Sequence, residues 1–325
     1  MEHVPCPACG SVEARHLFDG TDLLHGGPGS FSSVQCAACG STYLVSRPSR
    51  QEIGAYYPQD YMPHELARQA NRRWLARLDY RYGLTKRCRL LMRHRSPGRL
   101  LDVGCATGEF LARARELGWE PYGVDLSEHA VQYARDYWKL PAETGDLLGV
   151  SYPDGFLDAI TLWNVFEHLY DPLDSLDRAS RLLAPGGILV LTVPNLESLD
   201  RALFGSAWSG YDVPRHLHVF SVDALRQACA LRGLEPIEMR CLYGSYHAFF
   251  LSMRFYLQAR GRAGWLRLAE FGARSRVLRV LCAPLFVVLD RIRRGTILTV
   301  VCRKPDRGAG QDGVDGSIAT KDGMA

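Results

Sequence analysis

Leu100-Leu101-Asp102-Val103-Gly104-Cys105-Ala106-Thr107-Gly108-Glu109-Phe110 decides how this chain is read. An apolar strand runs into a loop of small residues, and the loop opens a helix. Gly104 and Gly108 carry no Cβ, so the main chain there can come close to a ligand. The helix beyond them offers free N–H groups at its start. Seventeen residues after Gly108 a second apolar run ends on an acid, Tyr122-Gly123-Val124-Asp125-Leu126. An acid at the tip of the second strand of a βαβ unit can grip both hydroxyls of a ribose. Loop and acid together imply an adenosine-containing cofactor. The loop supplies neither the dinucleotide fingerprint G-x-G-x-x-G nor the phosphate loop G-x-x-x-x-G-K-[ST].

Beyond Ser96-Pro97-Gly98 strands and helices alternate, which predicts an α/β fold: a doubly wound, mostly parallel, seven-stranded sheet with helices on both faces. Strands are expected at 99–103, 120–125, 142–144, 157–163, 188–193, 235–242 and 296–302, with helices after Ser127 and Ser221 as caps. A further helix, 173–183, stops at Pro185-Gly186-Gly187.

These stations resemble the class I S-adenosylmethionine-dependent methyltransferases, Rossmann-like enzymes, and in particular the bacterial small-molecule type. The Gly104 loop is similar to that family's first motif, D-x-G-x-G-x-G, with Ala106 in place of the middle glycine. Asp125, Gly145-Asp146, the stretch from Phe156 to His168 and the turn Leu183-Ala184-Pro185-Gly186-Gly187 agree independently. The resemblance implies S-adenosyl-L-methionine as cofactor and a role for each matched position. Asp102, Gly104, Cys105 and Gly108 would line its methionine part. Asp125 would take the ribose, with Leu126 beside the adenine. Asp146 would meet the adenine amino group, Leu147 would cover the ring, and Asn164 would face the reacting methyl. An alcohol or phenol acceptor also needs a base, and His168 and His216 are the candidates. His216 lies in a segment, 208–220, like the tryptophan–proline–histidine–phenylalanine stretch of such enzymes.

Ahead of this domain stand Cys6-Pro7-Ala8-Cys9-Gly10 and Cys36-Ala37-Ala38-Cys39-Gly40, 26 residues apart. Two C-x-x-C knuckles, each followed by glycine, make a closed four-thiolate Zn2+ site whose role is structural. They resemble the zinc ribbons found before some bacterial methyltransferase domains. The expected division is a zinc ribbon over 1–47, a linker and basic helical segment over 48–95, and a methyltransferase domain over 96–304. A helical insertion, 244–294, and a disordered tail, 305–325, complete it.

The composition, 47% apolar and 23% charged with net charge +4, is that of an ordinary globular protein. Without a signal-like start or an apolar run of about 18 residues, the expectation is a cytoplasmic protein. The insertion joins aromatic residues to many arginines. It reads either as a lid over the acceptor pocket or as an interfacial surface at the inner face of a membrane, while the arginine-rich segments, the basic helix included, could meet an anionic membrane or an acidic carrier protein. The favoured acceptor is a small molecule, a sugar, polyketide or aromatic hydroxyl, free or linked to lipid or carrier. Two other readings are an RNA or protein methyltransferase and a non-catalytic module that binds the cofactor. Modest net charge, and Trp163-Asn164-Val165-Phe166 where amino-group enzymes show N-P-P-Y, speak against nucleic acid. The intact loop and acids speak against the module.

Overall fold

A computed structural model describes residues 1–57, 74–242 and 244–306. The N-terminal part holds five short strands, β1 (Glu2–His3), β2 (Ala14–Gly20), β3 (Phe31–Cys36), β4 (Thr42–Leu44) and β5 (Ser46–Arg47). A helix follows, α1 (Trp74–His94). Residues 58–73 of the expected linker and basic helical segment lie outside the described residues. Leu78 and Tyr82 of α1 are exposed, and the helix is anchored by Leu84, Cys88 and Leu91, one face at i, i+4, i+7.

The central domain then alternates: β6 (Arg99–Val103), α2 (Glu109–Glu116), β7 (Glu120–Asp125), α3 (Glu128–Trp138), β8 (Ala142–Thr144), β9 (Leu157–Trp163), α4 (Pro172–Leu182), β10 (Leu183–Pro194), α5 (Leu199–Phe204), β11 (His218–Val219), α6 (Val222–Ala230) and β12 (Glu235–Arg240). Three helices, α7 (Ser245–Ala259), α8 (Leu266–Arg274) and α9 (Arg276–Arg291), precede the last strand, β13 (Ile297–Arg303). Seven strands form one sheet in the order β12-β13-β10-β9-β6-β7-β8. All run parallel except β13, which is antiparallel to both its neighbours. The doubly wound sheet is thus present with the expected strands. β10 starts earlier than expected: Leu183 pairs with Leu157, and the chain bulges over Pro185-Gly186-Gly187 before pairing resumes at Ile188.

Both faces of this sheet are buried, and the side chains divide by the period of two. Leu189, Leu191 and Val193 of β10 face one core with Leu176 and Leu182 of α4 and Leu225 of α6. Ile188 and Val190 face the other with Leu91 of α1, Phe110 of α2 and Val131 of α3. Fully burying each such side chain contributes about 1.5–3 kcal/mol. Serines set the helix starts: Ser127 Oγ accepts from Ala130 N at 3.3 Å and Ser221 Oγ from Ala224 N at 3.2 Å. Such a cap contributes about 1 kcal/mol.

A second sheet, β11-β4-β3-β2, crosses the expected border between ribbon and domain, because β11 comes from the chain beyond β10. His218 pairs with Tyr43 and Val219 with Thr42. In the insertion, α7 is the inner helix. Ser252 Oγ accepts from Ser209 N at 2.9 Å, and Tyr246 OH donates to Gly272 O at 2.6 Å, closing α8 onto α7.

Candidate active site

In parallel sheets of this kind ligands bind at the carboxyl ends of the strands. That edge carries the Gly104–Gly108 loop after β6, Asp125 at the end of β7, Asp146 after β8 and Asn164 after β9. Gly104 N and Cys105 N both donate to Val124 O, at 2.7 and 3.1 Å, which ties the loop to β7. Gly104, Ala106 and Gly108 adopt φ of +71°, +48° and +84°. This left-handed backbone explains the two glycines. A Cβ on Gly104 would also stand 2.5 Å from Val165 Cγ2.

The Asp125 carboxylate accepts from Ala106 N on one oxygen and from Ser127 N on the other, both at 2.8 Å. It fixes loop and helix start together. Each oxygen keeps a second lone pair, enough for a ribose hydroxyl. Asp102 lies beneath the loop, 3% exposed, and accepts from Thr161 Oγ1 at 2.6 Å. Burial pushes its carboxyl up to about 7, although the Thr161 bond opposes this. Cys105 is also buried under the loop. Leu126 stands out into solvent, 79% exposed, whereas Leu147 is packed in the core with Val124 and Val150. Asp146 Oδ1 accepts from Leu148 N and Gly149 N in an exposed turn. Asn164 is exposed with φ +56°, held by Thr192: its N–H donates to Thr192 Oγ1 at 2.8 Å, and that hydroxyl donates to Asn164 Oδ1 at 3.0 Å. The residues expected around the cofactor therefore share one edge, with Asp102, Cys105 and Leu147 facing inward.

The same edge leads into a polar cluster of one buried carboxyl and two half-buried imidazoles. Glu167 and His168 sit on the single turn Phe166–His168, and His216 on the loop before β11. The imidazoles lie edge to face with centroids 4.8 Å apart, and His216 Nε2 is 4.0 Å from Glu167 Oε1. One donor atom from each of the three residues falls within 4.8 Å of the others. His168 Nδ1 meets Arg215 O at 2.9 Å and His216 Nδ1 meets Gly210 O at 2.8 Å. A carbonyl only accepts, so both Nδ1 atoms carry the proton and both Nε2 atoms keep the basic lone pair. Tyr57 OH also stands 3.0 Å from His168 Nδ1. Burial pushes His168 down to about 3 and lowers His216, while burial raises Glu167 to about 8. At neutral pH the cluster is two neutral imidazoles beside a largely protonated carboxyl, a set able to take up and pass a proton.

These shifts fix a pH dependence of stability. His168 and His218 are both held at about 3, against an ordinary 6.5. The unfolded chain takes up protons that the folded one refuses, so stability is lost as pH falls from about 6.5 toward 3. Asp102 at about 7 and Glu167 at about 8 act oppositely. Their stabilisation is full below the ordinary carboxylate value and lost as pH rises through 7 and 8. For these groups the opposed slopes cancel between about pH 4.5 and 6.5, so urea denaturation should show a broad plateau there that falls away on both sides. A stability that keeps climbing from pH 6 to 9 would contradict the burial of the two acids.

The four cysteines also converge. Cys6 Sγ is 3.6 Å from Cys39 Sγ and Cys9 Sγ is 3.5 Å from Cys36 Sγ. Zinc–sulfur bonds of about 2.3 Å make a tetrahedron with edges of about 3.8 Å, so the donor set fits zinc. The two knuckles repeat one geometry: Gly10 N donates to Cys6 O at 2.8 Å and Gly40 N to Cys36 O at 3.1 Å, with φ +76° and +72°. The ribbon then braces the histidine loop. Leu44 N donates to Leu217 O at 3.0 Å and Ser221 Oγ to Cys39 O at 2.7 Å. Arg215, 0% exposed, is gripped by Asp22 from the ribbon (Nη1–Oδ2 3.0 Å, Nη2–Oδ1 2.6 Å) and by Asp212 (Nε–Oδ2 2.9 Å, Nη2–Oδ1 2.7 Å). Sequence reasoning missed Asp22, Arg215 and Tyr57. Nothing local marks a pair 193 residues apart.

The strand order, with its one antiparallel strand, and the ligand edge define the fold of the class I S-adenosylmethionine-dependent methyltransferases. The chain belongs to the methyltransferase-domain family, whose profile matches residues 66–239, more than half of its length. Among curated relatives, an uncharacterized 37.1 kDa protein in transposon TN4556 of Streptomyces fradiae is 37% identical over 106 residues, covering 30% of this chain and 31% of its own. A ubiquinone biosynthesis O-methyltransferase of Cereibacter sphaeroides is 28% identical over 158 residues, covering 44% and 62%. The chain thus spans less than two thirds of the length of these relatives. Among solved structures, the YcgJ protein of Bacillus subtilis superposes with a TM-score of 0.47 at 18% identity, covering 70% of this chain and 99% of its own.

Proposed function

We propose that the protein transfers the methyl group of S-adenosyl-L-methionine to a hydroxyl oxygen of a small-molecule acceptor, a sugar, polyketide or aromatic compound, free or linked to lipid or carrier. The observation that carries this reading is the pair of unprotonated Nε2 atoms of His168 and His216 on segments that leave the cofactor edge. The similarity to ubiquinone biosynthesis O-methyltransferases supports it.

The cofactor supplies an already activated methyl group. The chain's own residues bind, orient and move a proton. The Gly104–Gly108 loop would admit the methionine part over Asp102 and Cys105. Asp125 would hold the ribose, Leu126 would lie beside the adenine with Asp146 at its edge, Leu147 would support that turn from the core rather than cover the ring, and Asn164 would face the reacting methyl. His216 or His168 would take the acceptor's proton at Nε2, and Glu167 would orient the imidazole. Cys6, Cys9, Cys36 and Cys39 would hold structural zinc, and the division into ribbon, linker, domain and tail goes with it. In this reading the protein works in the cytoplasm, its arginine-rich segments meeting an anionic membrane or an acidic carrier.

Titration calorimetry tests the cofactor. S-adenosylmethionine and S-adenosylhomocysteine should bind, and the Asp125→Ala variant should show no heat at concentrations that saturate the parent. No binding by folded protein would end the enzyme reading. With an acceptor in hand, His168→Ala or His216→Ala should slow transfer about 10²–10⁴-fold. Full activity in both would remove the general base.

A further inference from the structure

Helices α8 and α9 turn outward an apolar face that the described residues leave uncovered. α9 has no buried residue, and Val277, Leu281, Leu285 and Val288 are 52–71% exposed. Their spacing, i, i+4, i+8, i+11, puts them on one stripe of the helix. Trp265 and Phe271 beside and on α8 are 60% and 64% exposed. The opposite side of α9 is satisfied: Phe286 packs edge to face with Tyr246 and Phe249 of α7. The outward stripe is therefore a surplus of apolar surface rather than a helix left loose.

Charge decides what fits it. Residues 260–294 hold nine arginines and two acids, Glu270 and Asp290. Asp290 is turned inward and accepts from Ser245 Oγ at 2.7 Å, and Arg279 reaches across to Asp79 of α1 at 2.7 Å. Arg274 and Arg276 stand at one end of α9 and Arg291, Arg293 and Arg294 at the other, all exposed. A second copy meeting the same face would set arginine against arginine, since a two-fold interface pairs a patch with itself. An anionic lipid surface accepts the apolar stripe and complements both charged ends. No helix among the described residues is long and apolar enough to cross a membrane. At 16 residues α9 extends about 24 Å, suited to lying in the plane of the interface.

We infer that α8 and α9 form an interfacial docking surface for an anionic bilayer, with the stripe Val277–Val288 dipping between headgroups and the flanking arginines seated on phosphates. The inference deepens the membrane part of the proposed function but does not need methyl transfer, so binding is measured without cofactor or acceptor. The full chain is sedimented with vesicles of phosphatidylcholine alone and with 30%, or roughly so, phosphatidylglycerol. Binding is expected only to the anionic vesicles and to fall as salt rises. Leu281→Glu with Val288→Glu, both at exposed positions, should weaken it at least about tenfold. Hydrogen exchange on the parent protein gives a second reading, with new protection confined to 265–292. The inference is overturned by no binding to anionic vesicles at low salt, by equal binding to neutral ones, by an undiminished double variant, by protection elsewhere, or by a concentration-dependent dimer that the double variant abolishes.

Discussion

Removing zinc, or replacing Cys36 with serine, is expected to unfold the N-terminal sheet and stop methyl transfer while S-adenosylmethionine still binds. The ribbon's own core is small, little more than Cys6, Val34, Cys36 and Tyr43, too little to order the segment unaided. In zinc-finger peptides structural zinc supplies about 10–16 kcal/mol of apparent folding energy. The knuckle at Cys36–Cys39 is bonded to Ser221, which caps α6, and β4 is the partner of β11. Loss of the metal would therefore loosen the chain that directly follows His216. The loop at Gly104 is tied to β7 instead, through Val124. Misplacing an acceptor-site group by about 1 Å can cost about a hundredfold in rate, so transfer should fall by at least that much. Atomic absorption should find one zinc per chain, and calorimetry on the stripped protein should find cofactor affinity within about threefold of the parent. Full turnover without zinc would sink the idea, and so would joint loss of cofactor binding.

Arg215→Leu should cost about 3–5 kcal/mol of stability, because it strands Asp22 and Asp212 as buried charges. Burial alone would raise the Asp22 carboxyl, but Arg215 and the amides of His25 and Gly27 outweigh it and hold it at about 2. A carboxylate lowered in this way stabilises the fold above its ordinary value of 3.8 and ceases to as pH falls toward 2. The gap between parent and variant should accordingly be constant above about pH 5 and close between pH 4 and 2. Urea midpoints at several pH values measure it. Pairing the change with Asp22→Asn should recover part of the loss, since one stranded charge is gone. A variant as stable as the parent at pH 7 would mean the guanidinium is not the tie described.

The central sheet was legible because its inner strands are largely buried and therefore written as mostly apolar runs such as Leu157–Trp163, punctuated by small-residue turns. The ligand edge was legible because Gly104 and Gly108 occupy backbone that only glycine adopts easily, and Asp125 ends a strand. The histidine cluster was half legible. His168 and His216 were singled out by type and place, but their burial beside Glu167 depends on how the loop before β11 closes. The least visible features were those of long range. β11 is two residues long and has no periodicity to read. Arg215 looks like any surface arginine until Asp22 is brought to it across the fold. The insertion announced its composition, yet which side of α9 meets α7 depends on packing at Phe286.

The pairing of β11 with β4 makes the ribbon and the histidine loop interleaved rather than strung end to end. Shuffling by cutting between residues 47 and 96 would leave an open strand edge on one product and an ion pair split between the two. Exchange between relatives should succeed only when residues 1–57 and 211–221 travel as one cassette, so the acceptor preference of such enzymes and their metal-binding front end would be inherited together.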